Sequence, residues 1–528
     1  MYKNKILLAL CLLATPVLNA DVIEEIIVIG SSTEYEEVET VEVSTIQESL
    51  QPAMVFIPGG IGGFAGYTER GTQPNHTVVY RNGVPVNDAG AGWYDLGHDI
   101  ATGNEYTKVV NGPQGVLYGT SSMGGTVFIN DDIQRATVAK LGSRKELISI
   151  SPLNNFNFYY AHVDNQSVRT DNTEQDFYRQ HGARIQFDTF LDFTLTANYQ
   201  NYTYDFDDCY TETFDPSNDC EQEGQRTNFS FRNDNITIGY NSNQAEFFTG
   251  TVSTYETDAE NYYFDARETF SNTNGIGNGV VGITVAKDRF AGETVNRLEP
   301  YAYINLANIF DFGVRFADDK TVGRLGLSVL GAWATVSTSY RNPNLYEIYG
   351  DGVFVLETDS LDPEEGTGYE LGYGPVSVYR YEFEQGIDFD MGSLVYVNTG
   401  EYITEGVRFA DNYELFGGNL SVFLGYTDSE RPRVPESKVS LGYQKDVGKF
   451  SFITQYAGMF NRGSDYVWQT DSMVELDDVN TIDFFVNYNL TNNVVISAGI
   501  EDLLDRSFEI TPGYGAGGRQ FTLTVQIK

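Results

Sequence analysis

From about residue 133 to the C-terminus the chain alternates apolar and polar residues with a period of two. Leu191, Phe193, Leu195, Ala197 and Tyr199 share one parity, and Asp192, Thr194, Thr196, Asn198 and Gln200 the other. The pattern returns at Leu420, Val422, Leu424 and Tyr426, at Val494, Ile496, Ala498 and Ile500, and ends the chain at Phe521, Leu523, Val525 and Ile527. Strict alternation marks strands with one wet and one apolar face. No segment approaches the ~20 apolar residues that a membrane helix needs. The apolar faces therefore meet either lipid around a transmembrane barrel or a second sheet in a soluble sandwich. Ionisable residues gather between the strand-like runs, and aromatics cluster at run ends, as at Tyr199, Tyr202 and Tyr204. Such clusters predict an interfacial girdle and favour the barrel. Residues 133–528 leave about 18 residues per strand and connection if there are 22 strands, of which ~9–11 cross the membrane. Sixteen or eighteen strands also fit by length.

The first twenty residues read as a signal peptide: Lys3 and Lys5, an apolar stretch from Ile6 to Ala14, Pro16, and a cleavage site at Leu18-Asn19-Ala20. Cleavage there removes Cys11 and leaves Cys209 and Cys220, an even pair that predicts a disulfide closing a loop in an exported chain. With 74 acidic against 33 basic residues, the net charge of −41 argues against a nucleic-acid partner. Asp205, Asp207, Asp208, Asp215 and Asp219 surround the cysteine pair. Carboxylates at this density can build a calcium site, although a solvated acidic loop is the simpler reading.

The N-terminal 133 residues are Gly-rich and do not alternate. Glu25-Ile26-Ile27-Val28-Ile29-Gly30 is a short strand former suited to addition at a partner's sheet edge. An acidic stretch follows, and then Glu69-Arg70-Gly71, Thr77-Val78-Val79-Tyr80-Arg81-Asn82-Gly83-Val84-Pro85, Asn111-Gly112-Pro113-Gln114-Gly115-Val116-Leu117-Tyr118-Gly119 and Met123-Gly124-Gly125-Thr126-Val127-Phe128-Ile129-Asn130. Asn-Gly between apolar runs is itself a hairpin signal. Later come Tyr340-Arg341-Asn342-Pro343-Asn344-Leu345-Tyr346-Glu347, Leu361-Asp362-Pro363-Glu364-Glu365 and Gly499-Ile500-Glu501-Asp502-Leu503-Leu504-Asp505. In this order and spacing the segments resemble TonB-dependent outer-membrane receptors from residue 25 to the end, with a plug shorter than usual and Lys528 in place of a terminal aromatic.

The resemblance implies an all-β membrane protein: a 22-stranded antiparallel barrel in the outer membrane of a Gram-negative bacterium, with a globular plug in its lumen. The expected division is 1–20 signal peptide, 21–44 TonB box and linker, 45–132 plug and 133–528 barrel. It implies pairing of Glu25 to Gly30 with the TonB–ExbB–ExbD complex, and ligand binding at plug apices and extracellular loops. The apices expected are the Gly-rich stretches 62–67 and 88–94, with Phe64, Tyr67, Asp88, Trp93 and Tyr94 as ligand contacts. Arg341, Asn344 and Tyr346 are expected from the barrel. Arg70 is expected as a buried plug–barrel charge partner. The family imports scarce nutrients without altering them, so no catalytic residue and no required cofactor are expected. The chain has four histidines and no H-E-x-x-H, nucleophile-elbow or phosphate-loop motif. Ferric siderophore and vitamin B12 are the leading substrate classes. A passive porin or surface-binding barrel, or an importer of haem or glycan, are the alternatives.

Overall fold

The computed structural model describes residues 38–39, 65–164, 176–189, 192–211, 215–271, 277–317, 320–352, 354–431, 434–467 and 472–528. Twenty-two antiparallel strands close into a barrel, sealed where Gln520–Ile527 pairs with Ala136–Gly142, Ile527 opposite Thr137. Each strand follows its sequence neighbour around the wall, and four small hairpins lie outside the ladder.

Parity decides which architecture the alternation serves. In Thr194–Phe206 the polar Thr196, Asn198 and Gln200 are buried, whereas Tyr199 is 40% exposed. In the last strand Thr522, Thr524 and Gln526 point inward while Phe521, Leu523 and Ile527 are exposed. A sandwich would show the reverse. Polar residues inside and apolar residues outside belong to a barrel whose solvent is lipid. The girdle expected at Tyr199, Tyr202 and Tyr204 is corrected in part. Tyr202 and Tyr204 share the even parity of Gln200, so they point into the lumen and pack with Tyr178 and Leu147.

Connections alternate in length. One end has short turns such as Leu330-Gly331 and Phe416-Gly417, with positive φ at all four residues. The other carries the longer loops, including a helix at Leu345–Tyr349 and small hairpins at Ile387–Asp390/Val395–Asn398 and Ser464–Val467/Ser472–Glu475. Leu325, 61% exposed, lies on the lipid side about midway up its strand. Leu325→Arg is expected to cost about 2–4 kcal/mol, whereas Leu356→Arg in a long loop should stay within about 0.5 kcal/mol. Denaturant titration of both variants refolded into lipid vesicles measures the difference.

The lumen holds a five-stranded sheet in the order Val38–Glu39, Glu105–Asn111, Gly125–Asp131, Thr77–Arg81, Val84–Pro85. Thr77–Arg81 runs parallel to Gly125–Asp131, and the hairpin to Val84–Pro85 turns at Asn82-Gly83 with φ of 50° and 81°. Only a turn with both central residues left-handed fits so tight a hairpin, which is why Asn-Gly stands there. One face of the sheet buries Val79, Val127 and Ile129 against Ala65, Tyr67, Tyr94, Leu96 and Ala101.

Candidate functional site

Three sets of contacts seat the plug in the wall. The first is ionic. Arg184, from the barrel strand Phe177–Asp188, reaches the plug carboxylates Glu105, Asp99 at 3.6 Å and Asp131 at 3.8 Å, and donates to the Thr102 hydroxyl and the Ile100 carbonyl at 3.0 Å. Arg81 holds the same Asp99 at 2.6 Å and Asp131 at 2.7 Å from within the plug. Burial works against the Arg81 charge, but Asp131 and Asp99 outweigh it and raise its pKa well above the usual guanidinium value. The second set surrounds Arg70, which donates to Glu370 Oε1 at 3.0 Å and the Tyr381 hydroxyl at 2.5 Å, with the Tyr379 ring 4.8 Å from its Cζ. Gly112 lies so close that a Cβ there would stand 2.0 Å from Glu370 Oε1. The third set binds plug backbone. The His98 carbonyl accepts from Tyr178, Gln180 and Gln200, and the Asp95 carbonyl accepts from Arg226. Burial pushes the Asp95 carboxyl up, yet His98, Arg226 and the Ala65 amide together hold it below its ordinary value.

The loop that carries the helix Leu345–Tyr349 meets the plug at its apex. Arg341 bonds Glu347 at 2.7 Å and Glu364 at 2.9 Å, and Asn344 and Glu347 cap the helix Leu345–Tyr349 reciprocally. That fixed helix start reaches the apex: Tyr346 N donates to the Gly90 carbonyl at 3.0 Å and Asn344 Nδ2 to the Ala91 carbonyl at 3.0 Å. Asp88 shapes the apex by accepting from the Gly90 and Ala91 amides, while its other oxygen accepts from barrel Asn243 at 2.6 Å. Beneath this contact, plug and wall leave a cleft that is continuous with solvent. Tyr80, Asp88, Tyr118, Tyr263, Arg297 and Asn344 are among the residues around it.

The expected contacts are thus divided. Asp88, Arg341 and Asn344 line the space, whereas Tyr346 is not among its lining residues: its ring stands 6.2 Å from that of Phe290 and its hydroxyl donates to the Asp351 carboxylate at 2.9 Å. Burial and Asp351 push the Tyr346 hydroxyl up. Tyr67 and Tyr94 are corrections: both belong to the plug core, their hydroxyls spent on Asn111 and Asp99. Burial and then Asp99 raise the Tyr94 pKa. A small domain needs large side chains in its core, and the surrounding glycines concealed this. Trp93 is half-buried, its ring against Gly66. Phe64 and the whole segment Glu25, Ile26, Ile27, Val28, Ile29 and Gly30 lie outside the described residues. Cys209 and Cys220 are joined as a disulfide, which ties a two-residue hairpin above the wall. Among the described residues Asp205, Asp207, Asp208, Asp215 and Asp219 form no group placed to hold a metal ion, and Asp208 bonds Tyr514 instead.

The TonB-dependent receptor plug domain matches residues 25–126, and the TonB-dependent receptor-like β-barrel matches residues 118–503. The chain belongs to the TonB-dependent receptor family. It is an outer-membrane protein, and its family consists of transporters and receptors, not enzymes. Solved structures share the fold at low identity. A ferric enterobactin receptor of Pseudomonas aeruginosa bound to enterobactin is 13% identical over 92% of this chain and 97% of that one, with a TM-score of 0.69. The siderophore receptor PirA of Acinetobacter baumannii is 12% identical over 94% and 98%, also at 0.69. The copper transporter OprC is 13% identical over 94% and 98%, at 0.68. In this receptor, as the geometry requires, the plug fills the barrel and is held there by buried charge.

Proposed function

We propose that this receptor imports a scarce metal chelate, a ferric siderophore first and vitamin B12 second, by TonB-driven remodelling of its plug. The observation that carries the reading is the cavity at the meeting of plug apex and barrel loop. A ligand there touches both bodies at once, so its binding is coupled to how the plug sits. Asp88, Asn344, Tyr346, Tyr80, Tyr118 and Tyr263 are the contacts assigned, with Trp93 beside them. Residues 1–20 act as the export signal, and 21–44 carry the box on a tether. Ile26, Ile27, Val28 and Ile29 add as a strand to TonB, and the inner-membrane complex pulls. No bond of the ligand is made or broken.

The test is growth of a strain lacking this receptor under iron limitation with a panel of ferric chelates, and in parallel under cobalamin limitation. The intact gene is expected to restore growth on one nutrient, and a form lacking residues 25–30 is expected to fail. Equal rescue by both forms supports a passive pore and contradicts the proposal.

A further inference from the structure

We infer that the ligand of this cavity carries no net negative charge: the site takes a neutral or cationic chelate and rejects polyanionic ones. The inference rests on the import reading above and narrows it. Three arginines line the cavity, and each is already neutralised. Arg297 bonds Asp288 at 2.7 Å and lies 3.9 Å from Glu299. Arg315 bonds Glu299 at 2.9 Å and spends its other nitrogens on the Val116 and Leu117 carbonyls. Arg341 is held between Glu347 and Glu364. Asp88 adds a carboxylate whose partners are amides alone. Three guanidiniums thus face five carboxylates.

The approach is more acidic still. Residues 342–363, which form the loop over the cavity, contain Glu347, Asp351, Glu357, Asp359 and Asp362 and no Lys or Arg. The described residues 205–211 and 215–223, at the disulfide hairpin, contain seven acidic residues and no basic one. A polyanion would be repelled on approach and would find no guanidinium to receive it; a cation is attracted on both counts. An anion receptor needs arginine forks not already filled by carboxylates, and among the described residues lining this cavity there is none.

The experiment is titration of the purified full-length receptor in detergent, read by quenching of tryptophan fluorescence, with Trp93 beside the apex as the nearest reporter. The probes are a cationic ferric trihydroxamate, a trianionic ferric tris-catecholate and cyanocobalamin, which is neutral. At low salt the cationic or the neutral probe should bind at least about tenfold more tightly than the tris-catecholate, and a cationic preference should shrink as salt screens it. Asp288→Asn leaves Arg297 with only the more distant Glu299, which Arg315 also holds, and should shift the ratio toward the anion by about five- to tenfold, the effect of one unit charge several ångströms away. Tris-catecholate binding as tight as that of the other probes in the wild type, or tighter, overturns the inference while leaving chelate import intact. Failure of all three probes to bind overturns the import reading, and the inference with it.

Discussion

Replacing Arg184 with methionine is expected to unseat the plug. Arg184 is fully buried and is the barrel's contribution to a cluster in which two arginines face Asp99, Glu105 and Asp131. Removing one partner of a buried ionic group leaves uncompensated charge and costs about 3–5 kcal/mol. Here three carboxylates would be left around Arg81 alone, and the Thr102 hydroxyl and Ile100 carbonyl would lose a donor. The barrel ladder does not pass through this side chain, so the loss should fall on the seating of the plug. Urea titration followed by cleavage of plug segments with added protease measures it. A variant whose plug is as urea-resistant as the wild type at pH 7 would remove this cluster from the account.

A covalent lock should abolish uptake as completely as loss of the energy supply. The plug helix Gly115–Tyr118 packs against the wall, where Val116 meets Val280, Tyr301, Tyr303, Ala317, Val322 and Tyr340. A Cβ built on wall residue Gly313 stands 3.5 Å from Val116 Cβ, within the range that a disulfide spans. The double substitution Val116→Cys and Gly313→Cys should therefore cross-link plug to barrel. Uptake of the chelate should fall to background when the pair is oxidised and return on reduction. Wild type treated in parallel controls for opening of the Cys209–Cys220 bridge. Full uptake through a fully cross-linked receptor would show that this part of the plug stays in place during transport.

The legible part of this structure was the part governed by parity and turn chemistry. Alternation gave the strands and their two faces, and the buried side of Thr196, Asn198 and Gln200 distinguishes lipid from a second sheet. The Asn82-Gly83 hairpin and the Gly-Pro, Leu-Tyr-Gly and Gly-Gly steps marked the plug. Parity also held the answer for Tyr202 and Tyr204, which reading them as a girdle overlooked. Tyr67 and Tyr94 were misplaced because glycines nearby suggest an exposed apex, whereas a five-stranded sheet needs a core. The ionic cluster was missed entirely. Parity points Arg184 into the lumen, but its partners Asp99, Glu105 and Asp131 are 85 to 53 residues earlier, in another domain. No local pattern pairs charges across such a distance. The cavity was invisible for the same reason: Asp88, Arg297 and Asn344 meet only through the closure of the barrel around the plug.

The most direct test of gated, energised import separates binding from transport. Cells expressing wild type or Ile27→Pro would be given radiolabelled chelate, and surface-bound label would be counted in the cold and accumulated label at growth temperature. Proline removes a backbone donor needed for strand addition and leaves the extracellular site untouched. Equal binding in both, with accumulation at background in the variant, is the result this account predicts. Accumulation by Ile27→Pro at the wild-type rate would contradict it.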